Sequence, residues 1–433
     1  MVPARPLSRA ARAVTTAAPD RDAPSRRSDR AIVGLLAVLI AFQPLSTDLV
    51  IASLPGLARH FDVGAATVQA TLSVFIGAFA VTQLLAGPLS DRFGRRPVVL
   101  GGVAAYVAGS ALGALAGSLE TLLAGRALQA VGTCCTVVCA RAIVRDRFAP
   151  TEGARRLAHA MSWVALMPIG APVLGGAIEG WTGWRGTFWT MAAFGAIALV
   201  ACATGLRESH RDPDPAAMRP GPMATNYLEV LRSPAWAGFA LYGAAMYWGL
   251  FAFLSESAFV FGRVHGMSPP AIGLAVSTIT SGFLLGTLAA RRLLPRLGVQ
   301  RMLGSATVVA VGAALAMLAL ALAGVSHVAA VLVPQCLFVF AHGLSQSSWQ
   351  AGAVAPFPRQ AGAAAALTGF VQNALAVGSG LIVGRLHDGT VVPMAAMVAA
   401  GGLAAMVVAR TLVRRHGDVD RAAPATASRR GPA

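Results

Sequence analysis

The chain has 433 residues, of which 56 % are hydrophobic and 12 % charged, with a formal net charge of +17. A charged fraction about half that of ordinary soluble domains cannot cover so much apolar surface, and disordered chains are polar and charge-rich. The excess of positive charge alone would suit nucleic acid, but its placement along the chain does not, and a polytopic membrane protein remains.

Residues 1–30 carry Arg5, Arg9, Arg12, Arg21, Arg26, Arg27 and Arg30 among Ala and Pro and read as a disordered tail. They are not a cleaved signal peptide, because the apolar run that follows is too long and no small-residue site closes it. A bilayer core needs about 20 apolar residues per helix. Twelve runs meet that length: 31–53, 68–89, 97–118, 121–143, 157–179, 187–206, 235–257, 270–290, 302–323, 327–350, 362–385 and 391–411. The expected fold is an all-α membrane protein of twelve transmembrane helices. A polar, Pro-rich linker at 207–234 divides it into a six-helix half at 31–206 and another at 235–411, followed by a tail at 412–433. Such a division suggests a transporter built from two repeats.

All 35 basic residues are Arg. With the N-terminus in the cytoplasm, 29 of them fall in cytoplasmic segments, and only Arg59, Arg185, Arg263 and Arg385 fall on the opposite side. That is the bias of the positive-inside rule, with both termini cytoplasmic, and it explains the net charge without nucleic acid. The five cysteines, Cys134, Cys135, Cys139, Cys202 and Cys336, sit in apolar runs without metal-ligand spacing. They read as small packing residues, and no metal is expected.

Two acids lie well inside spans, Asp48 and Glu256. A carboxylate at mid-bilayer costs about 2.5–3.5 kcal/mol on insertion scales, so such a residue faces a cavity and is a candidate proton carrier. For Asp48 the competing reading is a fixed ion pair, for example with Arg126. Pro44, four residues earlier, removes a helix hydrogen bond near the acid. Span four carries Arg126, Gln129, Thr133 and Arg141 on one helical face. Polar faces in membrane helices point at protein or water. Arg126 would tune a nearby acid or bind an anionic group, unless it snorkels to the surface.

Span seven offers Tyr247, Trp248 and Phe251, span ten Gln335, His342, Gln346 and Trp349, and span eleven Thr368, Gln372 and Ser379. Together these would line a cavity of aromatic and uncharged polar character, suited to amphiphilic aromatic molecules. No Walker-type loop, His-Glu-x-x-His or paired-carboxylate arrangement is present, so neither ATP as driving force nor an enzyme is expected.

The run Gly87-Pro88-Leu89-Ser90-Asp91-Arg92-Phe93-Gly94-Arg95-Arg96-Pro97 between spans two and three resembles the signature loop of the major facilitator superfamily. Arg126-Ala127-Leu128-Gln129-Ala130-Val131-Gly132 resembles the fourth-span motif of its proton-coupled members, with Ala130 where Gly is usual. Pro168-Ile169-Gly170-Ala171-Pro172, continuing to Gly175-Gly176, resembles the fifth-span antiporter motif. Leu45-Ser46-Thr47-Asp48, Arg141 to Asp146 and Leu386-His387-Asp388-Gly389-Thr390 resemble the Bcr/CflA-type drug-resistance transporters, over about residues 31–415.

The resemblance implies proton-coupled efflux of drug-like compounds by alternating access, from the bacterial cytoplasmic membrane. The intramembrane charges themselves make Asp48, Glu256 and Arg126 the candidate proton-coupling residues, although Glu256 departs from the group's pattern, in which a small residue is common there. The resemblance also implies a cytoplasmic latch between the halves built on Gly87, Asp91, Arg92, Gly94, Arg95, Arg96 and Asp146. The small residues and prolines at Pro168, Gly170, Pro172, Gly175 and Gly176 would seal the outer route. Protons, a small-molecule substrate and the bilayer are the expected partners of a monomer that needs no cofactor beyond the proton motive force. The other reading is a dedicated exporter or importer of one metabolite, such as an amino acid, peptide or siderophore.

Overall fold

The computed structural model describes residues 26–416, apart from Arg211 and Arg359. The expected terminal tails lie mostly outside the described residues. Among those residues every regular element is helical.

The N-terminal half holds α1 (Arg26–Asp48), α2 (Leu54–His60), α3 (Ala65–Phe93), α4 (Arg95–Ala114), α5 (Leu119–Arg147), α6 (Pro150–Val164), α7 (Met167–Thr182) and α8 (Trp184–Gly205). A short α9 (Pro220–Leu231) follows in the linker. The C-terminal half holds α10 (Pro234–Phe259), α11 (Pro269–Leu322), α12 (Ala329–Val354), α13 (Ala361–Arg385) and α14 (Val392–Val408).

Among the described residues, eleven helical stretches are long and apolar enough to cross a bilayer. The sequence predicts twelve, and the difference lies in α11. That helix runs for 54 residues across both the eighth and ninth apolar runs. Its path is broken at Gly298, whose φ of 72° and ψ of 170° lie outside the helical region. Only glycine takes up that backbone at little cost. The first and fifth runs are each two helices. α1 gives way after Asp48 to a 3₁₀ turn at Ile51–Ser53 and then to α2, while α6 and α7 meet at Ala165 and Leu166.

The linker departs from the expectation of a plain polar loop. Pro220 pre-sets the first turn of α9, and the helix seats Tyr227 and Val230 against the bundle. The Tyr227 hydroxyl donates to the Leu84 carbonyl at 2.8 Å, which ties the linker to α3. Caps set other boundaries. Ser118 accepts from the Thr121 amide at the start of α5, and Ser233 from the Trp236 amide at the start of α10, where Pro234 occupies the first position.

Helices approach through small residues. A Cβ on Gly109 would stand 2.6 Å from the Gly125 carbonyl, so α4 and α5 touch backbone to backbone. Without a hydrophobic force between helices in lipid, such contacts supply the packing. Trp181, Ile197, Val200, Val308 and Leu322 remain exposed, as lipid-facing side chains would be. All five cysteines are free, and four of them are buried.

Candidate functional site

Asp48 is the last residue of α1, within a span that continues to His60. It is 7 % exposed and accepts a hydrogen bond from the Thr47 hydroxyl at 3.0 Å. The helix breaks directly after it, leaving non-α backbone at membrane depth, which is tolerated only against protein or a cavity. A Cβ at Gly175 of α7 would collide with the Leu49 carbonyl, so the fifth-span motif packs on the turn that carries the acid. From the other half, Tyr247 lies within electrostatic range of Asp48.

Arg126 is fully buried and forms no ion pair with Asp48. Its guanidinium donates to the carbonyls of Thr71 and Ser46 and to the Gln129 side chain, and it stacks over Phe75 at 4.3 Å. Gln129 in turn donates to Ser110 at 2.7 Å, and the Thr133 hydroxyl donates to the Gln129 carbonyl. Arg126 and Gln129 therefore bind α5 to α1, α3 and α4 inside the N-terminal half, while Thr133 bonds within α5. Arg141, expected on the same face, is exposed. The Ser46 carbonyl links Arg126 to the Asp48 turn through two residues of backbone.

The facing half presents rings. Phe251, Tyr247, His342 and Phe283 follow one another at centroid separations of 6.2, 6.2 and 5.9 Å across α10, α12 and α11. The indole N–H of Trp248 and Nδ1 of His342 are buried without partners. Gln346 and Gln372 are partly buried. Trp349 sits differently: it is buried over Gly243, packing α12 on α10 within its own half. Phe283 joins the column from an apolar run, where nothing in the sequence distinguishes it.

The Asp91–Arg96 loop folds into a dense polar knot. Arg95 donates to Asp91 at 2.6 Å, to Asp146 at 2.9 Å and to Ser90 at 2.6 Å. Arg96 donates to the carbonyls of Leu206 and Ala203, and Arg92 is exposed. Glu208, which no sequence motif marks, accepts from the backbone N–H groups of both Arg95 and Arg96. It thus caps the start of α4 with a carboxylate. Partial burial pushes the Glu208 carboxyl up, but the amides of His210, Arg96, Arg95 and Ser209 together hold it below the ordinary range. Gly94 makes the approach possible: its φ is 91°, and a Cβ there would meet Glu208 Oε2 at 2.7 Å. Nothing stands within 4 Å of a Cβ at Gly87. The resemblance implies a latch between halves. Among the described residues, the ion pairs of Asp91, Arg95 and Asp146 all stay within the N-terminal half.

The fifth-span motif does join the halves. Pro172 has no N–H for the Pro168 carbonyl four residues back. That carbonyl accepts instead from the Thr280 hydroxyl of α11 at 2.5 Å, and the Ile169 carbonyl accepts from Ser277. Gly176 lies against the backbone of Pro269, and Gly273 of α11 against Pro172. Gly170 is exposed and takes no part in this contact.

Glu256 lies apart from Asp48, at the opposite face from the arginine-rich knot. It is 1 % exposed, accepts from Gln69 Nε2 of α3 at 2.8 Å, and pairs with His387 Nδ1 at 2.9 Å. Gln69 is inconspicuous in the sequence because it opens an apolar run. No group of His, Cys, Asp and Glu among the described residues has metal-site geometry.

Comparison with known proteins agrees with this arrangement. Multidrug resistance protein D of Escherichia coli K12 is 29 % identical over 353 residues, covering 80 % of this chain and 86 % of that protein. A chloramphenicol resistance protein of Pseudomonas aeruginosa is 38 % identical over 179 residues, which is 41 % of this chain and 42 % of that one. Among solved structures, a peptide transporter in complex with sulfate superposes with a TM-score of 0.73 at 14 % identity, covering 91 % of this chain and 95 % of that one. A bacterial homolog of the lysosomal transporter Spinster, inward-facing and occupied, superposes at 0.72 and 15 % identity, covering 90 % and 99 %. These structural likenesses carry the fold alone. The sequence model of the Major Facilitator Superfamily matches residues 36–381, and the chain belongs to that family.

Proposed function

We propose that the protein exports small, amphiphilic, drug-like molecules across the bacterial cytoplasmic membrane in exchange for protons. Relatives of this chain carry multidrug and chloramphenicol resistance in their names, which supports drug efflux. The family moves solutes rather than transforming them, so the chain is a transporter and not an enzyme. In this reading Gly298 divides α11 into two spans, which brings the count to twelve. Both termini and the Asp91–Arg96 knot are cytoplasmic, as the arginine bias requires. The carrier works as a monomer without cofactor.

One observation carries the mechanism: a buried acid, Asp48, at a helix break, with the aromatic wall of the other half opposite it. A proton taken up by Asp48 from outside neutralises a charge that is costly at this depth. Drug entering from the cytoplasm against Tyr247, Phe251 and His342 favours the charged, proton-releasing form. Alternation between these two occupancies couples the fluxes. One proton moving inward through 100 mV contributes about 2.3 kcal/mol, to which a pH gradient adds.

The test is a drug-susceptibility panel in an efflux-deficient bacterium, with the intact chain and Asp48→Asn at matched membrane levels. Resistance to several unrelated compounds, lost in the variant, is the expected result. Resistance to a single compound identifies a dedicated exporter. No resistance despite good expression rejects drug export in favour of a metabolite substrate.

A further inference from the structure

The two halves meet on the outer side in a place that neither the Asp48 site nor the cytoplasmic knot uses. Gln69 at the start of α3 belongs to the N-terminal half, Glu256 near the end of α10 to the C-terminal half, and His387 follows α13. Both carboxylate oxygens of Glu256 are engaged, Oε1 by Gln69 Nε2–H at 2.8 Å and Oε2 by His387 Nδ1–H at 2.9 Å. The surrounding backbone is tight. A Cβ on Gly384 would stand 2.6 Å from Gln69 Oε1 and 3.2 Å from the Ala66 Cα. Of the two partners, Glu256 is buried while the His387 side chain keeps 15 % of its surface open.

One turn deeper, Ser73 of α3 and Ser255 of α10 converge on Gly380, where a Cβ would lie 3.0 and 3.3 Å from their hydroxyls. Both hydroxyls are buried and lack partners. Phe251 borders the same spot, and the ring column from Phe251 to Tyr247 leads on toward Asp48. An unpaired buried hydroxyl costs free energy unless water or a moving proton uses it. The polar seam between the halves therefore runs from His387, through Glu256 and the two serines, to the edge of the central site.

We propose that Glu256, His387 and Gln69 form the outer latch of the carrier, and that a proton arriving from outside opens it. The inference deepens the proposed function and rests on it for which face is outside. In the closed latch Glu256 is ionised and bridges two donors. A proton from outside adds to the His387 ring at Nε2, and the Nδ1 proton passes along the hydrogen bond to Glu256 Oε2. A neutral carboxylic acid then faces a neutral ring. The negative charge is gone: the contact to His387 becomes a neutral Oε2–H···Nδ1 hydrogen bond, Gln69 donates to an uncharged acid, and both charge-assisted bonds that hold the latch are weakened. Other titratable groups at this face are Arg59, His60 and Asp62 at the end of α2, Glu120 at the start of α5, Glu179 and Arg185 around the α7–α8 turn, Arg263 and His265 after α10, His327 before α12, and Arg385 and Asp388 around the end of α13. Among the described residues none of them hydrogen-bonds Glu256. The Asp388 carboxyl is held low by the Thr390 hydroxyl and amide, with a smaller contribution from the charge of His387.

The experiment is external labelling of Ser73→Cys with a membrane-impermeant maleimide, in cells expressing the full chain. Rates are compared with a chain lacking that cysteine and normalised to Val325→Cys at an exposed outer loop. With the latch intact, normalised labelling is slow at neutral external pH and accelerates as the pH falls. Glu256→Gln, which imitates the protonated acid, labels about tenfold faster at every pH, the scale set by losing a hydrogen bond to a charged group. His387→Phe keeps the ring and loses the donor, and labels faster at neutral pH. Asp48→Asn retains the pH response, so failure of the proton-carrier reading shows in transport and failure of the latch shows in labelling. Equal rates in Glu256→Gln and the intact chain overturn the proposal, as does a pH response that persists in Glu256→Gln. The pH series on the unaltered latch decides the matter even if Glu256→Gln fails to reach the membrane.

Discussion

The interiors of the two halves solve the same burial problem in opposite ways. In the N-terminal half the central polar groups are cross-linked: Arg126 reaches Ser46, Thr71 and Gln129, and Gln129 reaches Ser110, leaving Arg126 Nη2 and the Thr71 hydroxyl buried without partners. In the C-terminal half the interior is a column of rings, and Trp248 and His342 keep buried nitrogens without partners. These bonds cross-link α5 to α1, α3 and α4. An aromatic wall with spare polar atoms accepts varied guests. In the proposed mechanism the proton chemistry belongs to the cross-linked frame and drug recognition to the adaptable face.

The substitution expected to do most damage is Asp48→Asn, which keeps the shape of the N-terminal frame and removes its titratable group. Resistance falls to the level of cells without the protein, measured at equal membrane abundance. Next is Arg126→Met. It strands the Ser46 and Thr71 carbonyls and the Gln129 oxygen in a dry interior, at about 1–3 kcal/mol for each group left without a partner. Thermal unfolding of the purified protein in detergent should move to clearly lower temperature. Equal stability would show that the Arg126 network does not hold the N-terminal half rigid.

On the adaptable face, Tyr247→Phe and His342→Leu should change drug preference rather than coupling. Apparent affinities shift about three- to tenfold in a compound-dependent direction, the scale of a pocket contact worth about 1 kcal/mol. A uniform loss of pumping for all compounds would place these rings in the coupling machinery and erase the contrast.

The smallest effect expected lies in the cytoplasmic knot. Glu208 has a carboxyl held below its ordinary range, so its contribution to stability is fully present above that range. The contribution is lost as pH falls through the lowered folded value. Glu208→Gln should flatten the acid limb of the stability profile and leave neutral-pH transport nearly unchanged.

Much of this architecture is legible in the chain. The apolar runs, the loop after the second of them, and the arginine bias mark the helices and their grouping. The break in α11 is legible too: the polar stretch Arg291–Arg301 reads as a loop, and the path leaves the helical region inside it, at Gly298. The stripe Arg126-Gln129-Thr133 is visible as a face. Whether that face looks into a cavity or into neighbouring helices depends on Ser110, Thr71 and Ser46, which lie on other helices, and only packing decides it. Trp349 reads as a cavity residue for the same reason, yet a bare Gly243 on α10 receives its ring. Glu208 and Gln69 are hard to single out because polar residues at the ends of apolar runs look like ordinary boundary residues.

The most direct test is transport by purified protein in liposomes with an imposed pH gradient, comparing the intact chain with Asp48→Asn. If Asp48 carries the coupled proton, the gradient drives uphill movement of a drug by the intact chain. Asp48→Asn loses that uphill movement yet still exchanges labelled drug for unlabelled drug across the membrane, because the aromatic face is untouched. Gradient-driven accumulation that survives in Asp48→Asn would contradict this mechanism and place the proton elsewhere in the chain.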